Sequence, residues 1–416
     1  MDERDRSGAC VSGGKMTPMA YPVVKLNPQR PERVNHPWIY DNEIASAPDP
    51  STFENGNCVL IQDSRGKKLG IGYLNARSKI AVRYLTRNPS AVIDTAFWRS
   101  RIKRAFDYRT ARYAAQGGVP PAYRLSHGEA DGLPGLVVDI YGDYAVTQFL
   151  ALGLEPAREA IVDGIAQAAG VANVYERSDS AVRKLEGMEE RVGVLRGEAP
   201  PDRLEIDEGD VISLVDIKTG GKTGLFLDQR ENQRAAAGEA AGRDVLNCFA
   251  YTGLFGLRAA RAGATRVTDI ESSVAFNAVN EQQWARNNPQ AEHTVLADNV
   301  FDYLRTREKA GDRHDMIILD PPAFTKNRGS REGAARGYNE INRMALRMLR
   351  PGGVLVTCSC SHHITSDEFR IIVEKAADDA GRTARLVAQR TQPPDHPVLL
   401  SAPESEYLKC LILAVE

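Results

Sequence analysis

The stretch "DVLNCFAYTGLFGLRAARAGATRVTDIE", residues 244–271, contains a strand, a helix and a second strand in close succession. Its ends, "DVLNCF" and "RVTDIE", are short apolar runs, and residues 253–262 between them have helical spacing. The alternation continues through strands "HTVLA", "DMIILD" and "GGVLVTC" and through predicted helices at 273–287, 299–309, 338–350 and 366–379. Strands that are apolar almost throughout and alternate with helices are typical of a parallel sheet covered on both faces. We therefore predict an α/β fold, in which "ARLVAQRT" and "EYLKCLILAV" form an antiparallel edge pair.

The 416 residues exceed the length of one ordinary domain, so two or three domains are expected. Residues 20–94 contain short apolar runs broken by turn signals, which predicts a small β-rich domain. Residues 95–200 combine strands with predicted helices at 96–115 and near 155–169, which predicts a central α+β domain. The Pro- and charge-rich "RGEAPPDRLEIDEGD" places a boundary near 200, so the third domain is 201–416.

Composition excludes several classes of protein. The chain is 42% hydrophobic and 26% charged, and it has no apolar run near the roughly 18 residues that span a bilayer. The N-terminus has acidic residues and Gly/Ser where a secretion signal needs basic and apolar ones, which predicts a cytoplasmic protein. Six scattered cysteines are expected to be reduced. The net charge of −2 shows no overall basic excess, but residues 96–115 are rich in arginine and could contact RNA, although a solvated helix face is the commoner explanation.

Three residues follow successive predicted strands at one edge of the sheet. Gly253 lies at a strand-to-helix turn, but Asn247 and Phe249 stand where a dinucleotide motif G-x-G-x-x-G would have glycines. Glu271 follows the second strand at the distance from Gly253 expected for a ribose-binding acid, and Asp298 follows the third. Taken singly, Glu271 could be a helix N-terminal acid and Asp298 an N-cap. Together they predict a nucleoside-containing cofactor.

The fourth strand ends in "LDPPAF", Leu319–Phe324. Pro321 and Pro322 form a stiff corner with few backbone donors, which could hold a flat ring against Phe324 while Asp320 meets its polar edge. A plain rigid turn is the alternative. Because the fourth and fifth strands are neighbours in a doubly wound sheet, Asp320 is expected to face the residues after the fifth strand.

Those residues are "TCSCSHH", from Thr357 to His363. Zinc would need four ligands, and no second pair accompanies Cys358 and Cys360, so we expect no metal. A redox pair is normally C-x-x-C, so this spacing is weak evidence for one. Alternation of side chains along the strand would place Cys358 one layer deeper and Cys360 at the open end, where a thiol could act as a nucleophile.

Taken together, "LNCFAYTG", "DPPAF", "TCSCS" and "GGKTGLFLDQREN" resemble the bacterial RNA cytosine-5 methyltransferases that act on 23S ribosomal RNA, a class I S-adenosylmethionine-dependent family. "HPWIYDNEI" is similar to the PUA RNA-binding domain of that family, and "EADGLPG" to its central domain, so the match covers nearly the whole chain. The resemblance implies a C-terminal Rossmann-like methyltransferase sheet that is parallel with one antiparallel edge strand. It also implies 23S rRNA as a partner, no membrane association and S-adenosyl-L-methionine as the cofactor; a homodimer is compatible with the sequence.

The resemblance also assigns site residues. Cys360 is the implied nucleophile, adding to C6 of cytosine so that C5 can attack the methyl group. From the residues themselves, Asp320 is a candidate for orienting or protonating the base, and Pro321, Pro322 and Phe324 are expected to contact it. The implied cofactor contacts are Gln229, Arg230, Phe249, Tyr251, Gly253, Glu271, Asp298 and Asp320.

The sequence departs from the family pattern at one position. Many RNA cytosine-5 methyltransferases carry a second cysteine after the proline of the fourth-strand motif, whereas Pro322 is followed here by Ala323. The base that removes the C5 proton is therefore unassigned. "DPPAF" is also similar to the motif of amino-group methyltransferases that act on adenine N6 or guanine N2, under which Cys360 would be merely packed. An RNA-binding protein with an inactive methyltransferase fold is a further alternative.

Overall fold

In the computed structural model, which describes residues 21–30, 33, 35–324 and 331–416, the strands form four sheets that follow one another along the chain. The first has six strands in the order β2-β6-β5-β4-β1-β3. These are β1 (Val23–Leu26), β2 (Trp38–Ile39), β3 (Ile44–Ser46), β4 (Cys58–Gln62), β5 (Lys68–Leu74) and β6 (Val82–Thr86). Val24, Val59 and Ile61 are fully buried inside this sheet, as expected for half-buried strands with alternating side chains.

The second sheet has five strands in the order β11-β10-β9-β8-β7. It comprises β7 (Ala122–His127), β8 (Leu136–Tyr141), β9 (Tyr144–Phe149), β10 (Asn173–Ser178) and β11 (Arg191–Arg196), with helices α1 (Thr95–Tyr113), α2 (Arg158–Ala169) and the short α3 (Val182–Leu185). Trp98 and Ile102 of α1 and Ile161 of α2 share one core with the sheet. One side of the arginine-rich helix α1 therefore belongs to this core, and its Arg109 is buried in an ion pair with Asp131.

A two-stranded hairpin, β12 (Leu204–Asp207) and β13 (Ile212–Val215), separates the second sheet from the last. It lies within and just after the Pro- and charge-rich segment, where charged residues hide the alternation that marks a strand. A loop containing "GGKTG" then leads into α4 (Arg230–Ala237).

The fourth sheet has seven strands in the order β16-β15-β14-β17-β18-β20-β19. Its elements are β14 (Asp244–Cys248), α5 (Leu254–Arg261), β15 (Arg266–Ile270), α6 (Val274–Asn287), β16 (Glu292–Leu296), α7 (Val300–Ala310), β17 (His314–Leu319), α8 (Arg331–Met348), β18 (Leu349–Ser359), α9 (Ser366–Ala380), β19 (Ala384–Arg390) and β20 (Lys409–Val415). Strands β14 to β18 are parallel, and β20 is antiparallel to both of its neighbours. The predicted α/β fold and the antiparallel pairing of the last two strands are confirmed. The antiparallel strand β20 lies beside the edge, and β19 forms the edge itself.

Helices cover both faces of this sheet. Leu246 and Cys248 of β14 belong to a core with α7, α8 and α9, whereas Val245 belongs to a core with α4 and α5. Successive side chains of a strand point to opposite faces, so a strand buried on both must be apolar throughout. The strand order reverses beside β14, which places the ends of β14, β15, β17 and β18 around one crevice.

A buried polar cluster joins the second and fourth sheets. The Asp395 carboxylate accepts hydrogen bonds from the Tyr113 hydroxyl at 3.1 Å, the Arg124 main-chain N–H at 3.0 Å and the Arg230 guanidinium at 3.3 Å. Arg109 donates to the Asp395 carbonyl at 2.8 Å. Buried ionic groups are stable only when paired and hydrogen-bonded, so this cluster fixes the two sheets against each other.

Among the helices of the described ranges, none is both long enough and apolar enough to cross a membrane.

Candidate active site

The turn after β14 has an unusual backbone. Phe249 and Tyr251 have positive φ angles of 60° and 52°, and Gly253 has φ of 80°. A Cβ at Gly253 would overlap the side-chain amide of Asn280, so only glycine fits there. Side chains larger than glycine rarely adopt these angles, and such strained turns are found at ligand-binding sites. This is the close backbone approach expected of a cofactor-binding turn.

Side chains hold this turn from two directions. The Tyr251 hydroxyl accepts from the Gly221 N–H at 2.9 Å and donates to the Gly224 carbonyl at 2.8 Å, which ties the turn to the "GGKTG" loop. Burial raises the pKa of Tyr251 to about 12, so the hydroxyl keeps its proton. Phe249 instead packs edge-on against Phe301, with ring centroids 6.2 Å apart.

Glu271 follows β15 and contacts the same turn. Its carboxylate accepts from the Tyr251 N–H at 3.1 Å and from the Ser273 N–H at 2.9 Å, just before α6. It therefore contacts both the start of α6 and the turn after β14, and a carboxylate has further lone pairs that could accept from ribose hydroxyls.

Asp298 is exposed after β16 and accepts from the Asn299 N–H at 2.7 Å. The N-cap of α7 is Asn299, whose side chain accepts from the N–H groups of Phe301 and Asp302, so the N-cap alternative for Asp298 is wrong. Its carboxylate is not occupied by capping and is left at the edge of the crevice.

Asp320 lies at the end of β17 with one carboxylate oxygen engaged. Gln229, which is buried, donates to that oxygen at 2.7 Å. Burial and the nearby Asp228 carboxylate raise the pKa of Asp320 to about 7. A carboxyl group with this pKa can hold or release a proton near neutral pH.

The guanidinium of Arg230 does not join the contact between Gln229 and Asp320. Its guanidinium is buried and donates to the Ala122 carbonyl at 2.6 Å, the Tyr113 hydroxyl at 2.7 Å and the Asp395 carboxylate at 3.3 Å. The predicted role of Arg230 in closing the cofactor pocket does not match this position, because its donors are committed to the junction of two sheets.

The "DPPAF" corner joins an aromatic cluster. Phe324 lies 4.6 Å from Tyr338, 5.6 Å from Phe301 and 6.5 Å from Phe249 between ring centroids. Pro321 is buried, whereas Pro322 is exposed. Phe324 is half-buried, and its ring is held by three aromatic neighbours.

The two cysteines of "TCSCS" occupy different environments. Cys358 is fully buried on β18, opposite Cys410 of β20, and contact with that thiol together with burial raises the pKa of Cys358 well above its usual range. Cys360 follows the end of β18 and is half-buried, with Sγ 3.8 Å from the Pro321 carbonyl. Burial and the Asp320 carboxylate raise the pKa of Cys360 to about 11. The deeper position of Cys358 agrees with the predicted alternation.

The histidines after Cys360 are not arranged as metal ligands. His362 stacks on Tyr407, with ring centroids 5.3 Å apart, and burial lowers its pKa. Within the described ranges, no group of three or more His, Cys, Asp or Glu side chains could hold a metal ion.

Four polar residues near this site were not singled out from the sequence. Buried Asp228 accepts from the Lys222 ammonium at 2.7 Å and from the Tyr407 hydroxyl at 2.6 Å. Lys409, the first residue of β20, lies next to the cysteine segment. Lys222 and Asp228 belong to the quoted motif "GGKTGLFLDQREN", which was the available signal, whereas only the fold reveals Tyr407 and Lys409.

A cavity of about 710 Å³ opens beside Lys222. Its walls include Trp38 of the first sheet, Gln148 of the second, and His362 and Tyr407 of the C-terminal region. The volume is within the range of small-molecule and nucleotide pockets.

Comparison with known proteins gives two family matches and close relatives. Residues 180–413 match the model for S-adenosylmethionine-dependent methyltransferases, and residues 24–87 match that for PUA-like domains. The chain is 39% identical over 375 residues to the ribosomal RNA large subunit methyltransferase I of Shigella boydii, covering 90% of this chain and 94% of the relative. The protein of that name from Cronobacter sakazakii is 40% identical with the same coverage.

Two solved structures share the fold. A protein described as a SAM-dependent methyltransferase from Streptococcus mutans has a TM-score of 0.79 at 22% identity, over 94% of this chain and 99% of that one. A methyltransferase complexed with SAH has a TM-score of 0.77 at 23% identity, over 91% of this chain and 96% of that one. The predicted methyltransferase sheet with a preceding PUA-like domain is confirmed, and the family match confirms S-adenosylmethionine as the cofactor.

Proposed function

The chain belongs to the S-adenosylmethionine-dependent methyltransferase family, with ribosomal RNA large subunit methyltransferase I proteins among its relatives, and on that premise we propose that it methylates C5 of a cytosine in 23S ribosomal RNA. The observation that carries the proposal is a half-buried thiol, Cys360, at the open end of β18, 3.8 Å from the carbonyl of the neighbouring "DPPAF" corner. A nucleophile at that position could reach a base held by the corner.

The residues around the crevice fit the cofactor. The turn of Phe249, Tyr251 and Gly253 leaves no room for a Cβ at its glycine, and Glu271 and Asp298 offer carboxylates at the next two strand ends. We assign these residues and Gln229 to cofactor binding, by analogy with acids that bind ribose at the ends of such strands. S-adenosylmethionine, when bound, supplies the methyl group as an electrophile that C5 of the base attacks.

The two reactive groups of the protein act on opposite sides of the pyrimidine. The Cys360 thiolate adds to C6, and the electron pair of the C5–C6 double bond moves to C5, which becomes nucleophilic. Protonated Asp320 gives a hydrogen bond or a proton to N3 and so offsets the charge that develops in the ring. After methylation, the C5 proton leaves for solvent, the C5–H electron pair restores the C5–C6 double bond, and the C6–S bond breaks to release the thiolate. The raised pKa of Asp320 supports this assignment, because an ordinary aspartic acid would have no proton at neutral pH.

We further propose that residues 20–94 and 95–200 bind the RNA and that residues 201–416 carry out the chemistry in the cytoplasm. The 710 Å³ cavity supports this division, since its wall joins Trp38 and Gln148 with His362, which lies two residues after the proposed nucleophile. RNA bases commonly stack on aromatic side chains, and a base must leave its helix to reach such a site.

Tritium release tests the proposed reaction. A 23S rRNA transcript carrying tritium at cytosine C5 should lose label to water when the protein and S-adenosylmethionine are added. Cys360→Ala should abolish the release, whereas Cys358→Ala, a matched change two residues away, should largely spare it. Methylation with retained label would instead support an amino-group methyltransferase. No cofactor affinity by calorimetry would support the inactive RNA-binding alternative.

A further inference from the structure

Lys409 is a buried ammonium group beside the proposed nucleophile. It begins β20 and pairs across the sheet with Ser359, the last residue of β18. Only 5% of the residue is exposed. Its Nζ donates to the Ser361 carbonyl at 2.7 Å and to the Tyr407 carbonyl at 2.8 Å. Because Ser361 follows Cys360 directly, the lysine holds the segment that carries the thiol.

This cation has no counter-ion in the described part of the chain. Its hydrogen bonds go to two main-chain carbonyls, and among the described residues no carboxylate lies within salt-bridge distance of Nζ and no acceptor pairs with the third N–H. A buried charge without a partner destabilises a fold. A lysine kept in such a position is therefore expected to have a functional role. Two acidic groups interact with the ammonium, Cys360 and Glu406, and the interaction with the thiol of Cys360 is the larger.

The charge of Lys409 persists at neutral pH. Burial lowers the pKa of Lys409 to about 8, and interactions with Cys360 and Glu406 raise it. The interaction also acts on the thiol: burial and the Asp320 carboxylate raise the pKa of Cys360, whereas the ammonium groups of Lys222 and Lys409 lower it.

We propose that Lys409 is a positioning residue that stabilises the Cys360 thiolate and that this thiolate is its missing counter-ion. The inference rests on the proposed function only in naming Cys360 as the nucleophile. The ion pair forms when the thiol proton leaves for solvent, and it is consumed when sulfur bonds to carbon.

Other titratable groups face this pair, and their effects on the thiol must be distinguished from the effect of Lys409. Those near the thiol come from four segments: Asp320 after β17, Lys222 and Asp228 before α4, Tyr338 on α8 and Lys409 on β20. Glu406 and His362 are near the lysine. Since the pKa of Asp320 is about 7, the test is made in an Asp320→Asn background, which leaves Lys409 as the group that titrates near pH 8.

The test is the rate at which iodoacetamide alkylates Cys360 in the full chain, measured by mass spectrometry across neutral to alkaline pH without RNA or cofactor. Only the thiolate reacts: sulfur bonds to the methylene carbon, and iodide leaves with the electron pair. Lys409→Gln keeps a donor for the Ser361 carbonyl but removes the charge, and should slow alkylation about tenfold below pH 8, equivalent to one pKa unit of the thiol. Lys409→Arg keeps the charge and should restore the rate. Equal rates in a folded Lys409→Gln variant would overturn the proposal.

The shape of the profile decides the matter if the uncharged variant does not fold. With Lys409 intact, the logarithm of the rate should stop rising near pH 8, because loss of the lysine proton then competes with formation of the ion pair. A rate that rises tenfold per pH unit straight through this region would overturn the proposal. Absence of tritium release together with a break near pH 8 would refute the proposed RNA chemistry and leave the ion pair standing.

Discussion

Replacing Asp320 by asparagine should stabilise the protein at neutral pH. The carboxyl group is held at the end of β17 by the Gln229 amide at 2.7 Å, and an asparagine oxygen could accept the same hydrogen bond. The two side chains have nearly the same shape. The principal change is therefore loss of a negative charge that burial and the neighbouring Asp228 carboxylate disfavour.

The sign and size of the effect follow from the pKa. Asp320 has a pKa of about 7 in the folded protein against an ordinary value of 3.8. Between these values the folded state binds more protons than the unfolded chain, so the free energy of unfolding falls as the pH rises. Because one pKa unit equals about 1.4 kcal/mol, the full loss is about 4 kcal/mol above pH 7. Asparagine does not ionise, so the variant should escape that loss.

Hydrogen exchange of the β17 main-chain amides measures this difference, since buried strands exchange through the larger opening events. After correction for the intrinsic rates, Asp320→Asn and wild type should be similarly protected near pH 4. The variant should then become progressively better protected, reaching about a thousandfold slower exchange near pH 8, the equivalent of about 4 kcal/mol. The same variant should lose methyl transfer while keeping cofactor affinity, because its amide can bind the base but cannot protonate it.

Asp244 provides a matched control with the opposite sign. It begins β14, the strand next to β17, at the other end of the sheet. Burial opposes its ionisation, but His314 and Arg266 lower its pKa, so its charge stabilises the fold above the unfolded pKa and that gain is lost as the pH falls. Asp244→Asn should thus be less protected than wild type at neutral pH. Equal protection of Asp320→Asn and wild type at every pH would show that the Asp320 charge does not destabilise the fold, and would refute the raised pKa.

Three further predictions concern the cofactor turn and the junction between sheets. Gly253→Ala should weaken S-adenosylmethionine binding about tenfold or more in calorimetry, because alanine at this φ costs about 1–2 kcal/mol and its methyl group overlaps Asn280; an unchanged dissociation constant would contradict this. Glu271→Gln should also weaken binding about tenfold by replacing a charged acceptor of the turn, and normal affinity would exclude a role for that charge. Arg230→Met should lower the free energy of unfolding by about 3 kcal/mol because it removes a buried partner of Asp395. Loss of cofactor binding in a variant of wild-type stability would instead support a role for Arg230 in the cofactor pocket.

The repeating part of the fold could be predicted because its signals are local. The helix predicted at 253–262 is α5, Leu254–Arg261, and that predicted at 366–379 is α9, Ser366–Ala380. In α9 the capping box of Thr365 and Glu368 marks the first turn, and such a pattern is readable in a single sequence. The helix predicted at 338–350 begins earlier, at Arg331, because the first turns of α8 contain glycines and few apolar residues. Its end is also earlier, since Leu349 already belongs to β18.

Site residues could be predicted only where a glycine or an acidic residue follows the end of a strand. Gly253, Glu271 and Asp320 follow strands whose order in the sheet can be inferred, so their neighbourhood could be foreseen. Arg230 could not, because its position depends on Asp395, which lies 165 residues away along the chain. Lys409 is one polar residue at the start of an apolar strand, and nothing in its sequence context indicates that it is buried near a thiol.

The surroundings of Asp320 depend on the second sheet, although Asp320 itself follows a strand of the fourth. Asp139 of β8 accepts from the Thr223 hydroxyl at 2.6 Å, and Tyr141 of the same strand lies 3.0 Å from that hydroxyl. Thr223 belongs to the loop that leads to Gln229, whose amide holds Asp320. A displacement of the second sheet would therefore move the loop, and with it the hydrogen bond and the burial that set the pKa of Asp320. Since the cavity proposed for RNA is walled partly by that same sheet, RNA that moves the sheet would change the protonation of the acid as well as the position of the base.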